Sequence, residues 1–435
     1  MSGYNKKQKF FLESLGCPRN LVDSEFFAGL AEQGGYQLTN NPEEATLIII
    51  NTCSFIKDAK EESIERILEL AEIKKKHHCQ LIVTGCLVQR YKEELLNSLP
   101  EVDHFVELKD FQKFSGLLSL TDLNMQRSAL EPLPYAYLRI SDGCDNLCSY
   151  CAIPSIRGRV KSEPLDQLID EARLLADNGI RELIITAMDI TQYGKDLTQK
   201  TGLIKLLEEL SSISGIEWIR LLYLHPAHIT NELLYYIKGN SKVCQYLDIP
   251  IQHINDKILS QMNRHITRKE IEELIDKIRK ILPQAALRTT LITGFPGETE
   301  EQLNELVDFI KKTRFNRLGV FQYSRESGTQ AFNIPDQIHH QTALRRKRVL
   351  TELHNSISEE LLKKIVGQTV EVIIDNKSLD DSFLWEGRTR FDAPEIDGMV
   401  FITSGKAKIG DIVQVKITDS LVHDLIGFIP DNQVK

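Results

Sequence analysis

Between Lys9 and about Leu120, short apolar runs alternate with helical stretches. Phe10–Gly16, Leu47–Thr52 and Leu81–Gly85 are short, apolar and bounded by polar residues or glycine. That pattern predicts strands buried on both faces of a parallel sheet. Within Glu61–Glu72, the apolar positions Ile64, Ile67, Leu68 and Ala71 mark one helical face. Each of the three runs leads directly to a cysteine: Cys17, Cys53 and Cys86. Ligands of an open α/β sheet gather beyond the carboxyl ends of its strands, so the three thiols are expected to converge on one site. A free cysteine is often only a small buried hydrophobe, and Cys79 and Cys244 fit that description. Repetition at three strand ends argues against it for the other three.

The polar segment Ser119–Pro134 breaks the pattern and reads as a linker. After it come six strand-like runs: Ala136–Ser141, Glu182–Ala187, Glu217–Tyr223, Tyr246–Ile249, Ala285–Thr293 and Arg317–Tyr323. Helical stretches such as Leu165–Ala176, Leu203–Leu210 and Arg268–Ile281 separate them. Such alternation predicts a partial (β/α)6, TIM-like barrel, with its chemistry at the carboxyl ends of the strands. Beyond Gly367, alternation in Thr369–Ile374, Met399–Ile402 and Ile412–Ile417, with Gly and Asp turns between, predicts a small antiparallel β-barrel. The fold class is therefore α/β and multidomain: an open α/β domain over 8–120, the barrel over 134–365 and the small β-barrel over 366–435.

A 435-residue chain with 26% charged and 42% hydrophobic residues is ordinary globular protein. No apolar run is long enough to span a membrane, and Met1–Lys9 lacks the apolar core of a signal peptide. With eight cysteines, these features predict a cytoplasmic protein that uses thiolates rather than disulfides. The net charge of −9 disfavours nucleic acid as a partner. Residues 366–435 carry seven Lys and Arg against twelve Asp and Glu, which suits a basic partner.

The sharpest chemical signal is C-x3-C-x2-C at Cys144, Cys148 and Cys151, directly after the first barrel strand. Zinc usually takes four ligands, often from paired C-x2-C units. Three thiolates in one loop instead match three corners of an iron–sulfur cube, leaving the fourth iron open. With Tyr150 before the last cysteine, the motif resembles that of the radical S-adenosylmethionine enzymes. The eleven histidines show no H-x-x-x-H or comparable cluster, so no separate metal site is expected. Gly294-Phe-Pro-Gly297 lacks the Gly-Lys-Ser/Thr of a phosphate loop.

In the order of its parts the chain resembles the radical S-adenosylmethionine methylthiotransferases, which join a three-cysteine domain, a radical barrel and a small barrel of the TRAM type. The resemblance covers about Phe10 to Ile429. Ser14–Glu25 (SLGCPRNLVDSE) and Asp392–Gly398 (DAPEIDG) resemble the RimO-type branch, which modifies a ribosomal protein; Tyr246–His253 and Gly294–Thr299 are blocks shared across the family. Two positions depart from the pattern: Met188 stands where relatives commonly have Gln, and Glu163 where they often have Arg.

The resemblance implies two 4Fe-4S clusters, one on Cys144, Cys148 and Cys151 and an auxiliary one on Cys17, Cys53 and Cys86. It implies S-adenosylmethionine as cofactor, an external electron donor such as a flavodoxin or ferredoxin, and methylthiolation of the β-carbon of an aspartate on the basic ribosomal protein uS12. That substrate is expected to dock on the acidic terminal barrel. Tyr150, Asp189, Arg288, Thr293 and Gly294 are the candidate cofactor contacts. Asp248, Tyr323, Glu326 and Thr329 are further candidates at strand ends and the barrel mouth. Two other readings stand beside this one: the same chemistry on a tRNA adenosine derivative, and an electron carrier, for which four cysteines per cluster would be expected.

Overall fold

A computed structural model describes residues 8–198 and 201–431; of the amino-terminal stretch Met1–Lys9, residues 1–7 lie outside them, as do the last four residues of the terminal module. The chain forms two compact units. The first runs to Pro132 and takes in Ala152–Arg159 and Ser324–Gly328; the second comprises Leu133–Cys151, Val160–Tyr323 and everything from Thr329 on. The three parts expected from sequence are thus two by packing, because the terminal barrel shares buried ion pairs with the larger one.

The first unit is a parallel sheet of β1 (Lys9–Ser14), β2 (Gln37–Leu38), β3 (Leu47–Thr52), β4 (Gln80–Gly85) and β5 (His104–Val106), in the order β2-β1-β3-β4-β5. Every residue of β3 is buried. Alternate β3 residues feed two cores, Ile48 and Ile50 on one face, Leu47 and Ile49 on the other. Helices α1 (Pro18–Gln33), α2 (Lys57–His77), α3 (Cys86–Ser98) and α4 (Phe111–Leu117) connect the strands, and α5 (Ile153–Arg157) also belongs to this unit. The face of α2 differs from the expected one: Ser63, Ile67, Leu70 and Ala71 are buried, whereas Ile64 and Leu68 are exposed. The cause is Ser63, whose hydroxyl donates to Cys53 O at 2.9 Å and accepts from Cys53 N at 3.0 Å.

The second unit is built on β6 (Tyr135–Arg139). A short ribbon of β7 (Ser141–Asp142) and β8 (Lys161–Ser162) follows, then β9 (Glu182–Thr186), β10 (Trp218–Leu221), β11 (Val243–Asp248), β12 (Ala286–Thr293) and β13 (Arg317–Gln322). The six main strands are parallel and lie in sequential order, the topology of a (β/α)6 barrel. Its helices start where capping chemistry dictates. Thr267 with Glu270, and Thr299 with Gln302, form capping boxes ahead of Arg268–Ile281 and Glu300–Thr313.

A closed five-stranded barrel follows, made of β14 (Thr369–Lys377), β15 (Trp385–Thr389), β16 (Val400–Ile402), β17 (Ile412–Ser420) and β18 (Leu425–Phe428). It is not wholly antiparallel, since β16 and β18 run parallel. Its Phe391–Gly398 loop enters the amino-terminal end of the larger barrel. Asp392 pairs with Arg317, the first residue of β13. Asp397 accepts from Tyr246 at 2.6 Å, and Glu395 accepts from Tyr135 at 3.2 Å. The cysteine loop leaves the opposite end, after β6. Asp375, Asp392 and Asp397 therefore hold the module in place rather than adding to an exposed acidic surface.

The helix His340–Lys363 leads into the terminal module and buries His354, whose Nε2 lies 3.2 Å from Phe315 O. Burial pushes this imidazole down to about 4, against roughly 6.5 when unfolded. The unfolded chain takes the proton first, so this stabilisation is complete above roughly pH 6.5 and lost as the pH falls toward 4. His354→Gln is expected to remove roughly 3 kcal/mol of that acid-side loss, measured as a flatter pH dependence of the urea unfolding free energy. Among the described residues no helix is long and apolar enough to cross a membrane.

Candidate functional site: two three-cysteine centres

In the first unit the three cysteines stand where the strands end. Cys17 is the N-cap of α1, Cys53 follows β3, and Cys86 opens α3 after Gly85. Asn20, fully buried, ties the strand ends together by donating to Leu15 O at 2.9 Å and Thr52 O at 3.0 Å. Its Oδ1 accepts from Arg157 at 2.7 Å. Arg157 also pairs with Asp23 at 3.0 Å and approaches the Cys86 sulfur at 3.6 Å. Burial opposes ionisation of Cys17, but the Arg19 and Arg157 guanidiniums and the N–H groups of the helix start outweigh it and lower the thiol. Burial raises Cys53 and pushes Cys86 up to about 12.

The residues fit a cluster. Three thiols meet a buried cation, and the Ser54 and Thr84 hydroxyls beside them are buried with no partner among the described residues, as donors to bridging sulfides would be. Gly16 is held at φ +93°, and a Cβ there would lie 2.8 Å from Cys53 Cβ and 2.9 Å from its sulfur. Gly16→Ala is therefore expected to displace Cys53 and roughly halve the iron per chain after reconstitution. An iron assay with EPR of the remaining cluster checks it.

In the second unit Cys144, Cys148 and Cys151 lie on one loop, whose every turn is pinned. Asn146 Nδ2 donates to Asp189 Oδ2 at 2.9 Å, Asn263 Nδ2 to Leu147 O at 2.8 Å, and Ser149 Oγ to Gln261 O at 2.7 Å. Leu147, between Asn146 and Cys148, adopts a left-handed backbone at φ 50°. Burial pushes Cys144 up to about 11. Burial raises the Tyr150 phenol well above its usual range, and its ring packs with Ile258, Met262, Phe295 and Ala331. Arg264, 4% exposed, donates to the Cys148 sulfur at 3.4 Å and to Pro250 O at 2.6 Å.

A cofactor at the carboxyl ends of these strands also fits. The buried Thr186 Oγ1, which ends β9, and the buried Gln252 Oε1 have no partner among the described residues. Gln252 stands in the left-handed region at φ 70°, a strain that clusters at ligand sites.

The other candidates are placed differently from expectation. Asp189 is a loop anchor: it receives Thr191 N at 3.0 Å, the Thr191 hydroxyl, Asn146, and His228 Nδ1 at 3.0 Å. Burial opposes its ionisation, but those hydrogen bonds hold it well below the usual carboxylate range. Arg288 lies near the start of β12, not its end, and pairs with Asp248 at 2.8 Å and Asp397 at 3.5 Å. Both carboxylates therefore compete with any cofactor for it. Thr293 does end β12, but its hydroxyl turns to Ala343 O at 3.3 Å, away from the barrel interior. Gly294 is required sterically, since a Cβ there would lie 2.4 Å from Ala343 Cβ. Its N–H donates to Glu298 at 2.5 Å, and Arg346 holds that carboxylate at 2.7 Å. Glu298 also lies 3.4 Å from His253, so the two shared family blocks brace one another.

Tyr323 packs on Phe295, with ring centroids 5.4 Å apart, and Thr329 caps a short turn. Glu326 belongs to the first unit, where Lys60 at 2.7 Å and Arg90 at 3.1 Å hold it.

Contrary to the expectation of no histidine cluster, His225 and His228, spaced H-x2-H, converge with Asp189, their ligand atoms within 4.8 Å of one another. The hydrogen bonding argues against a metal there. His225 Nδ1 accepts from Ala227 N at 3.3 Å, which leaves the proton on Nε2. Burial and Arg264 push this imidazole down to about 3, so it is neutral.

The chain matches three family descriptions: Uncharacterized protein family UPF0004 over residues 9–107, the Radical SAM superfamily over 138–310 and the TRAM domain over 366–429. It is 46% identical to the ribosomal protein uS12 methylthiotransferase RimO of Geotalea uraniireducens (strain Rf4), over 97% of this chain and 98% of that one. With the protein of the same name from Clostridioides difficile (strain 630) it shares 44% identity, over 96% and 98%. Among solved structures it resembles the radical S-adenosylmethionine methyltransferase TsrM of Kitasatospora setae, at a TM-score of 0.57 and 14% identity over 74% of this chain and 77% of that one. That likeness concerns the fold alone.

Proposed function

The chain belongs to the ribosomal protein uS12 methylthiotransferase (RimO) family within the radical S-adenosylmethionine enzymes, and from that premise we propose that it methylthiolates the β-carbon of an aspartate on uS12. The observation that carries this reading is the presence of two separate three-thiol centres, each one ligand short of a closed cluster. When bound, the clusters and S-adenosylmethionine supply a carbon radical able to take hydrogen from an unactivated position, and the methylthio group that replaces it.

The chain's own residues hold and shield these groups. Cys144, Cys148 and Cys151 carry one cluster and Cys17, Cys53 and Cys86 the other. The Asn146–Asp189, Asn263–Leu147 and Ser149–Gln261 contacts fix the first loop. Apolar packing of Tyr150 against Ile258, Met262, Phe295 and Ala331 supports the loop beside Cys151, and the three thiols of that loop are half-buried. In the terminal module, Asp380 and Asp381 stay exposed beside Leu379, itself wholly exposed, and support docking of a basic protein that salt weakens.

The test is mass spectrometry of uS12 after anaerobic incubation with the reconstituted enzyme, S-adenosylmethionine, sulfide and a low-potential reductant. One methylthio group on an aspartate is expected. An unmodified uS12 alongside a methylthiolated adenosine in tRNA would overturn the assignment.

A further inference from the structure

Each three-cysteine centre meets one buried arginine from outside its motif, and the two arginines differ in charge balance. At the auxiliary centre, Asp23 neutralises Arg157 in an ion pair at 3.0 Å, with both side chains almost wholly buried. Arg264 forms no ion pair among the described residues, although it is 4% exposed. Its Nη2 is taken by Pro250 O and its Nη1 by the Cys148 sulfur, while its Nε has no partner among the described residues. Asp189 is the carboxylate that acts on it at longer range, and that carboxylate is already occupied by Asn146, Thr191 and His228. A buried, unpaired guanidinium is costly unless an anion meets it. The backbone holds it there under strain, because Asn263 at φ 58° and His265 at φ 50°, the residues on either side, are both left-handed. The anion it faces is the cysteine loop: a 4Fe-4S core bearing three thiolates is negative, and more so once reduced.

We propose that Arg264 is a positioning residue that raises the reduction potential of the cluster on Cys144, Cys148 and Cys151, by donating to the Cys148 sulfur and opposing the charge gained on reduction. Hydrogen bonds to cluster sulfurs and local net charge are the established levers on such potentials. At the auxiliary centre Asp23 pairs with Arg157, and Arg19 is the further cation beside Cys17. The inference rests on the proposed function only in requiring that the cluster assembles.

The experiment is an EPR-monitored redox titration of the full chain carrying Cys17→Ala, Cys53→Ala and Cys86→Ala, so that one cluster remains. Arg264→Gln is expected to keep its iron and lower the reduced-to-oxidised ratio at a fixed potential at least tenfold, about 59 mV for one electron. Arg264→Lys, which keeps the charge, is expected to fall between. An unchanged midpoint in an iron-replete Arg264→Gln variant overturns the proposal. Absence of iron from the parent chain would instead sink the functional reading. Should Arg264→Gln lose its cluster, the parent is labelled with 15N-arginine. Hyperfine coupling between the reduced cluster and an arginine nitrogen supports the contact, and its absence overturns it.

Discussion

Cys148→Ala is expected to abolish release of 5′-deoxyadenosine, whereas Cys17→Ala is expected to leave that release intact and abolish only the methylthio product. The asymmetry follows from the two centres being built from different thiols in different units. Cys148 lies in the second unit and accepts a hydrogen bond from Arg264. Cys17 caps a helix of the first unit, beside Arg19 and Arg157. Removing a ligand from a three-thiolate centre leaves two, too few to hold a cluster that already lacks a fourth protein ligand. Each loss should therefore exceed the ~10–100-fold typical of changes around, rather than at, a metal ligand. Anaerobic assays that quantify 5′-deoxyadenosine and modified uS12 in the same reaction separate the two activities. Loss of both in Cys17→Ala would mean that the auxiliary centre is needed for reductive cleavage itself, and the division of labour would fail. Cys244→Ala serves as the control, since that thiol is buried on β11 with no part in either centre.

The six candidate ligand cysteines were legible because their signal is local. Three lie within eight residues on one loop, and three follow apolar runs whose length and composition mark buried strands. The residues that hold the centres together were not legible, because their partners are distant in sequence. Arg264 and Cys148 are 116 residues apart, and Arg157 and Cys86 are 71 apart. No periodicity links such positions. The face of α2 was misread for a related reason. Ile64 and Leu68 complete a plausible apolar stripe, but the hydrogen bonds of Ser63 to Cys53 rotate the helix so that both stay exposed.

Arg288 and Thr293 show the limit of reading a strand as a unit. Both belong to β12, yet Arg288 sits near its start against Asp397, and Thr293 at its end faces a helix. A run of apolar and polar letters gives the strand, but not which end meets the terminal module. Where relatives often have Arg this chain has Glu163, and the guanidinium that meets the cysteine loop is that of Arg264, 116 residues from Cys148.

Arg388→Met should unfold the second unit more readily, by about 3–5 kcal/mol. Arg388 is 2% exposed and bridges Glu182 at 2.7 Å and Asp375 at 2.7 Å, while Arg220 holds the other oxygen of Glu182 at 2.7 Å. Burial alone would protonate Glu182, but Arg220 and Arg388 together lower it. Without Arg388, Glu182 keeps Arg220 but Asp375 is left without its cation in a space closed to water, and desolvating an unpaired charge costs more than the pair contributed. Adding Asp375→Asn to Arg388→Met should therefore recover part of the loss, because it removes the stranded charge rather than restoring a contact, while Glu182 is left with Arg220. The chain's two tryptophans, Trp218 and Trp385, both lie in the second unit, so their fluorescence in urea follows its unfolding alone. The network joins the terminal module to the amino-terminal end of the barrel, and the cysteine loop leaves the carboxyl end. Below the unfolding transition, Arg388→Met should thus lose stability while its 5′-deoxyadenosine yield stays close to that of the unaltered chain. A fall in yield with unchanged stability would show that the buried ion pairs act on the chemistry rather than on the fold that carries it.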